Sequence, residues 1–313
     1  MKVFITGVAG FIGSNVATAL IKRGDNVSGL DDFNDFYDPA IKRGNIERLN
    51  KLGNFSVFEG DLRKAEDVAK ALGDGADVVL NMAARAGVRP SLEEPGLYVD
   101  TNVKGLTNVL EGMRERGMSK ISHASSSSIY GGNEKVPFSE TDPVENPWSP
   151  YAATKRSNEL MLWTYNHLYG IESHALRFFT VFGPRQRPDL AIAKFIRMID
   201  AGESIPVFGD GTSGRDYTFI DDIVQGVIAS LDRVAGVEII NLGGDEPVTL
   251  SEMISTIEEV MGKKAKIDRK AMQPGDVPKT MADISKARKL LDYSPNTSFK
   301  DGVTRQVEKF YSL

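Results

Sequence analysis

The chain contains no cysteine, which rules out disulfides and cysteine-based metal sites. Its three histidines, His123, His167 and His174, are scattered, so a histidine-based metal site is not expected either. No apolar run approaches the ~20 residues of a membrane-crossing helix. Positive charge is not in excess. The formal net charge of −5 gives no electrostatic case for nucleic acid or an anionic membrane. An anionic ligand must therefore be met by individually placed cations. Internal repeats and low-complexity tracts are missing too. The opening stretch MKVFITGVAGFIG is broken by glycines and lacks a small-residue cleavage pattern, so we expect a soluble cytoplasmic protein.

What is present is ordinary globular composition, 41% apolar and 26% charged over 313 residues. The first part alternates short β-rich runs with helical patterns. KVFITG, NVSGLD, FSVFEGD, ADVVLNMA and KISHASS read as strands. Helices are expected at Phe11–Arg23, about Ile41–Leu52, AEDVAKAL and Leu97–Arg116. ESHALRFFTVFG reads as a sixth strand after a helix over Tyr151–Tyr169. This alternation predicts an α/β protein with a parallel sheet covered on both faces. From Pro184 the chain is turn-rich, and from about Leu250 mostly helical. We expect residues 1–178 plus about 218–245 to form one domain, and about 179–217 plus 246–313 a smaller one.

TGVAGFIG lies where the first strand becomes the first helix, with Gly7, Gly10 and Gly13 in a GxxGxxG spacing. Glycines there permit a tight turn and close approach of a pyrophosphate to the helix start at Phe11 and Ile12. Asp31 ends the second strand, where a carboxylate can accept from ribose hydroxyls and repel a 2′-phosphate. NAD is therefore expected over NADP. A solvated turn aspartate is the alternative. Asp61 and Leu62, and Ala83 and Ala84, end the third and fourth strands and should line the same crevice.

In SPYAATK, Tyr151 and Lys155 stand one helical turn apart, so phenol and ammonium can share one face. Taken alone, the pair also fits a packed tyrosine beside a solvated lysine. TGVAGFIG, GDL, ASSSSIYG, YAATK and RDYTFIDDI occur in this order over essentially the whole chain. The set resembles the extended short-chain dehydrogenase/reductase family, specifically its nucleotide-sugar epimerases. The resemblance implies a doubly wound Rossmann-type sheet with a smaller, mostly helical substrate domain. It also implies tightly held NAD, Tyr151 as catalytic base, Lys155 as its partner, Ser126 as a proton relay, and Asn102 at the cofactor. Asn81 departs from the histidine often found at that place. The ammonium and a nicotinamide cation would pull the phenol below its usual value of about 10. Relatives of this type dimerise through two long helices, here Leu97–Arg116 and Tyr151–Tyr169, although those apolar faces also suit an internal core.

Resembling dehydratases carry an Asp-Glu pair, and decarboxylases a Glu, where this chain has Ser127 and Ser128. Two serines cannot serve as the extra acid and base of an elimination. That leaves 4-epimerisation of a UDP-sugar. Arg187 within GPRQRPDLA is similar to the uronic-acid branch, and with Thr180 it would hold a sugar carboxylate in a planar two-point grip. A surface or diphosphate contact is the alternative for Arg187. Arg215 is expected at the diphosphate, or else in an ion pair with Asp221 or Asp222. Asp276 is expected at the nucleotide ribose, Arg89 at the sugar pocket and Phe195 near the uracil. The expected substrate is UDP-glucuronate, then UDP-glucose, with N-acetylhexosamine and pentose nucleotides further back. A non-catalytic NAD-binding sensor or scaffold is the alternative from a different class.

Overall fold

The computed structural model describes residues 1–244, 246–271 and 279–312. Its strands are β1 (Lys2–Thr6), β2 (Asn26–Asp31), β3 (Phe55–Glu59), β4 (Val78–Asn81), β5 (Lys120–Ser126), β6 (Glu172–Phe178), β7 (Thr180–Phe182), β8 (Ser204–Phe208), β9 (Gly214–Phe219), β10 (Val237–Leu242), β11 (Pro247–Thr249) and β12 (Lys266–Lys270). Its helices are α1 (Phe11–Arg23), α2 (Pro39–Asn50), α3 (Ala65–Leu72), α4 (Val88–Glu93), α5 (Pro95–Tyr98), α6 (Gly105–Glu115), α7 (Pro150–Tyr169), α8 (Ala191–Asp200), α9 (Ile220–Arg233), α10 (Leu250–Met261), α11 (Ser285–Leu291) and α12 (Phe299–Tyr311).

Seven strands form one sheet in the order β10-β6-β5-β4-β1-β2-β3. Every pairing in it is parallel. A parallel sheet is covered on both faces, which is why β1 and β4 are almost wholly buried and read as continuous apolar runs. Successive strands move outward from β1 through β2 to β3, and the chain then returns to place β4 on the other side of β1. The order therefore reverses between β1 and β4. A crevice opens there, outside the carboxyl ends of the strands.

Three expectations shift. The sixth strand breaks at Phe179: β6 stays in the main sheet while β7 pairs with β9 in a three-stranded sheet β11-β9-β7. The helix expected over 97–116 starts earlier, at Pro95, and passes through a π-helical stretch, Val99–Lys104, before α6. The helix expected over 41–52 spans 39–50, because Asp38 caps it and Pro39 occupies the first position, where a missing N–H costs nothing. The strand β10, which closes the far edge of the main sheet, was hidden in a stretch without alternating pattern. Among the described residues no helix is long and apolar enough to cross a membrane.

Candidate active site

The cleft is built from strand ends. β1 delivers the turn Gly7–Gly10, β2 delivers Asp31, and β3 is followed by Gly60, Asp61 and Leu62. Beyond β4 come Met82, Ala83 and Ala84, and the end of β5 supplies Ser125 and Ser126, followed by Ser127 and Ser128. Gly7 has φ +69°, and a Cβ on it would lie 2.8 Å from the Ala83 nitrogen. A Cβ on Gly13 would lie 2.3 Å from the Gly7 carbonyl oxygen. Only glycine lets the turn and the first helical turn pack this closely. Gly10 caps α1 with no side-chain hydrogen bond. The first backbone N–H groups of α1, at Phe11, Ile12 and Gly13, therefore face the cleft as an anion-binding end.

Asp31 is buried. Its Oδ2 accepts from Ala9 N at 3.0 Å and its Oδ1 from Phe33 N at 3.0 Å. Burial pushes its carboxyl above the usual range, and the charge of Lys42 works the other way. Lys42, buried and on the cleft wall, has its Nζ 3.5 Å from Asp31 and 3.7 Å from Asp32. Lys42 lies in the first turn of α2, eleven positions after Asp31, and no local pattern links the two. Asp61 lines the cleft and holds Arg63 at 2.7 Å. Burial raises its carboxyl, but the Arg63 hydrogen bonds outweigh that and leave it low.

Asn102 does not line the cleft. It is buried, with Oδ1 accepting from Arg85 N and Nδ2 donating to Arg85 O and to Thr154 Oγ1. All of its amide is spent on bracing the segment after β4 against α7. Its side chain thus supports the wall of the cleft rather than opening onto it. Asn81 has a similar duty: Oδ1 accepts from Thr6 Oγ1, which accepts from Ala83 N, and Nδ2 meets His123 Nδ1 at 2.9 Å. Burial, then the charge of Lys155, keeps His123 far below its normal pKa and so neutral.

Tyr151, Lys155 and Ser126 come together at one end of the cleft. Ser149 caps α7 by accepting from Ala152 N, Pro150 takes the first helical position, and Gly170 ends the helix in the left-handed region. These signals fix the frame in which Tyr151 and Lys155 share a face. The ammonium lies 6.0 Å from the centre of the Tyr151 ring, and its hydrogen bond goes to Ala124 O at 2.7 Å. Burial lowers Lys155 to about 7. Without a cofactor cation, burial raises Tyr151 and outweighs a hydrogen bond from Ser126 and the charge of Arg187. A positive ligand beside the ring would act against this shift and favour the phenolate.

Behind this centre sits a buried ion pair. Glu159, one turn after Lys155, takes Arg177 Nε and Nη2 at 2.9 Å each and Ser125 Oγ at 2.7 Å. Arg177 Nη1 donates to Tyr130 OH, which donates to Asn241 Oδ1. The network joins β5, β6, β10 and α7, and local sequence patterns give no sign of it.

On the facing wall Thr180 and Arg187 line the same cleft as Tyr151. Phe36 and Tyr37, from the segment after β2, lie between. The Phe36 ring is flanked by two guanidiniums, Arg85 at 5.4 Å and Arg187 at 5.2 Å. Three expected substrate residues lie elsewhere. Phe195 is packed in the hydrophobic core with Ile192, Ile196 and Ile199, because the amphipathic α8 turns that face inward. Arg89 stacks on Phe208 at 5.0 Å. Arg215 donates to Gly214 O, while Asp221, suggested as its partner, pairs with Arg305. Asp276 lies outside the described residues. Among the described residues no group of three or more histidine, aspartate or glutamate side chains is placed to hold a metal ion.

A family model described as GDP-mannose 4,6 dehydratase matches residues 4–306. A UDP-glucuronate 4-epimerase of Thermodesulfobacterium geofontis is 46% identical over 305 residues, covering 97% of this chain and 94% of the relative. A crystal structure of a UDP-glucuronic acid 4-epimerase from Bacillus cereus, in complex with UDP-glucuronic acid and NAD, superimposes with a TM-score of 0.94. It is 37% identical, with 100% of this chain and 99% of that one covered. A UDP-glucose 4-epimerase from Thermus thermophilus, in complex with NAD, gives a TM-score of 0.91 at 31% identity, with 99% of each chain covered.

Proposed function

The chain belongs to the GDP-mannose 4,6-dehydratase family, and from that premise we propose that it is an NAD-dependent UDP-glucuronate 4-epimerase. The family's name does not settle the reaction. Ser127 and Ser128 line the cleft where an elimination would need an acid and a base, and serine hydroxyls do not fill those roles near neutral pH. The observation that carries the uronate reading is Arg187, which lines the cleft with Tyr151 and lies close enough to lower the phenol's pKa.

The cleft fits NAD. The uncapped start of α1 suits the pyrophosphate, and Asp31 at the end of β2 suits the adenosine ribose. Bound NAD supplies the site that takes hydride from carbon 4 and returns it. Tyr151 takes the proton of the carbon-4 hydroxyl, with Ser126 orienting it. Lys155 adds positive charge beneath the ring. The resulting 4-keto sugar turns over, and Tyr151 gives the proton back when the opposite face is reduced. Arg187, Thr180, Ser127 and Ser128 hold the carbon-6 carboxylate. A 4-keto uronate is a β-keto acid, and a fixed carboxylate, with its breaking bond out of line with the carbonyl π system, resists loss of carbon dioxide.

The same proposal includes the division of the chain into a cofactor domain, 1–178 plus about 218–245, and a sugar-nucleotide domain, cytoplasmic residence, and a homodimer. Exposed Leu160 and Trp163 on α7 and Val99 beside it support the dimer, since large apolar side chains on one face favour burial against a second copy. Sedimentation at a monomer's mass would remove that part.

Proton NMR of the enzyme incubated separately with UDP-glucuronate and UDP-glucose tests the central reading. New anomeric and H-4 signals of the galacto product from the uronate alone are expected. Conversion of UDP-glucose alone would shift the assignment to UDP-glucose 4-epimerase. One observation favours that second reading: Arg187 already has a carboxylate partner, Asp189.

A further inference from the structure

Arg187 donates Nε to Asp189 Oδ1 at 3.0 Å and Nη2 to Asp189 Oδ2 at 2.7 Å. This is the side-on edge of the guanidinium, and it leaves the end-on edge, Nη1 with the second N–H of Nη2, for another acceptor. Asp189 is held opposite Arg187 by a tight turn. Leu190 N donates to Arg187 O at 3.2 Å, and Pro188 sits at the second position, where its fixed φ suits the turn. The Asp189 side chain is 41% exposed and that of Arg187 only 18%. The carboxylate therefore lies on the solvent side of a guanidinium that lines the cleft. The Phe36 ring, 5.2 Å away, covers one face of it. An arginine side chain has many rotamers and loses much freedom when fixed. Here an edge and a face are already engaged before any sugar arrives.

We infer that Asp189 is a positioning residue: it locks Arg187 so that the remaining end-on edge is presented to the substrate's carboxylate. The inference rests on the uronate reading above. It turns the apparent objection to that reading, a carboxylate already on the arginine, into a source of selectivity. With both edges engaged, the arginine holds the sugar carboxylate at one angle. With Asp189 removed, the side chain can follow the carboxylate as it rotates toward alignment with the 4-keto group. Asp189 also balances the charge of Arg187 when no uronate is present, so a neutral sugar gains nothing from it.

The test uses the NAD-loaded enzyme in four forms: wild type, Asp189→Asn, Asp189→Glu and Arg187→Ala. KM and kcat are measured for UDP-glucuronate, and inhibition by UDP-glucose is measured as a competing ligand. NMR follows the fraction of pentose nucleotide formed. We expect Asp189→Asn to raise KM for UDP-glucuronate about tenfold with less than a threefold change in kcat. The pentose fraction should increase, UDP-glucose inhibition should stay within about twofold, and Asp189→Glu should recover part of the loss. An unchanged or lower KM in Asp189→Asn would mean that Asp189 is a bystander or a competitor, and the inference would be overturned. Equal weakening toward UDP-glucose would overturn it too, by showing a general structural role. If Arg187→Ala binds UDP-glucuronate as well as wild type does, the uronate role of Arg187 itself fails, and Asp189 with it. If Arg187→Ala weakens binding and Asp189→Asn does not, only the role of Asp189 is lost.

Discussion

Lys155 gives its hydrogen bond to the Ala124 carbonyl oxygen at 2.7 Å, and so spans from α7 to the inside of β5. The ammonium is therefore anchored to the strand that ends in Ser126, not to the phenol it accompanies. Strand, helix and charge form one unit, and Tyr151 lines the cleft beside them.

The first prediction concerns that buried ammonium. Its folded value of about 7 lies below the ~10.4 of an unfolded lysine. Below pH 7 both states carry the proton and folding bears the full cost of burial. Between those two values the folded chain has released a proton that the unfolded chain keeps, so stability rises with pH. In cofactor-free protein, Lys155→Met should be roughly 2 kcal/mol more stable than wild type at pH 6. The advantage should shrink toward pH 9, and in the NAD-loaded enzyme turnover should fall about 100-fold. Thermal melts across that range decide the matter. A variant that is less stable at every pH would contradict it.

The buried pair of Glu159 and Arg177 makes a second prediction. Glu159→Gln leaves a guanidinium unbalanced in a site only 1% exposed, and should cost about 3–5 kcal/mol. The double variant Glu159→Gln with Arg177→Met should lose less than the two single losses added together. Urea unfolding of the four proteins gives the coupling. Strict additivity would show that the pair does not act as a unit.

Asp31 makes a third. With its carboxylate gone, Lys42 stays in the cleft wall without its main opposing charge, which favours an added phosphate. Asp31→Ser should weaken NAD and improve NADP, closing their affinity gap by tenfold or more. Fluorescence titration of both cofactors measures it. An unchanged ratio would place cofactor choice elsewhere.

Gly13→Ala is the fourth. Its new Cβ would meet the Gly7 carbonyl, a backbone atom that cannot swing aside. We expect a loss of about 1–3 kcal/mol in stability and weaker NAD retention. A variant that melts like wild type and keeps its cofactor would show that the turn has slack.

Features carried by short-range pattern were legible beforehand. The strand–helix alternation, the glycine turn at 7–13 and the i, i+4 pairing of Tyr151 with Lys155 all depend on neighbours within one or two turns of chain. Features made by distant partners were not. Nothing near Glu159 announces Arg177, and nothing near Asp31 announces Lys42. Asn102 is expected at the cofactor only through the family resemblance, and nothing near it in sequence announces its bonds to Arg85 and Thr154. Phe195 was misplaced because the direction of α8 depends on packing that no local pattern records. The pull of Arg187 on Tyr151 was equally invisible, since it acts across the cleft.

The two halves of the cleft are hung on different supports. Ser126 and Lys155 belong to β5 and α7, tied into the centre of the seven-stranded sheet. Arg187, Pro188 and Asp189 sit in the connection between β7 and α8, outside that sheet. A change in the connection disturbs none of the ladder that carries the tyrosine and lysine. Sugar preference is thus free to drift between descendants by a few substitutions in one turn, while the oxidation and reduction are inherited intact.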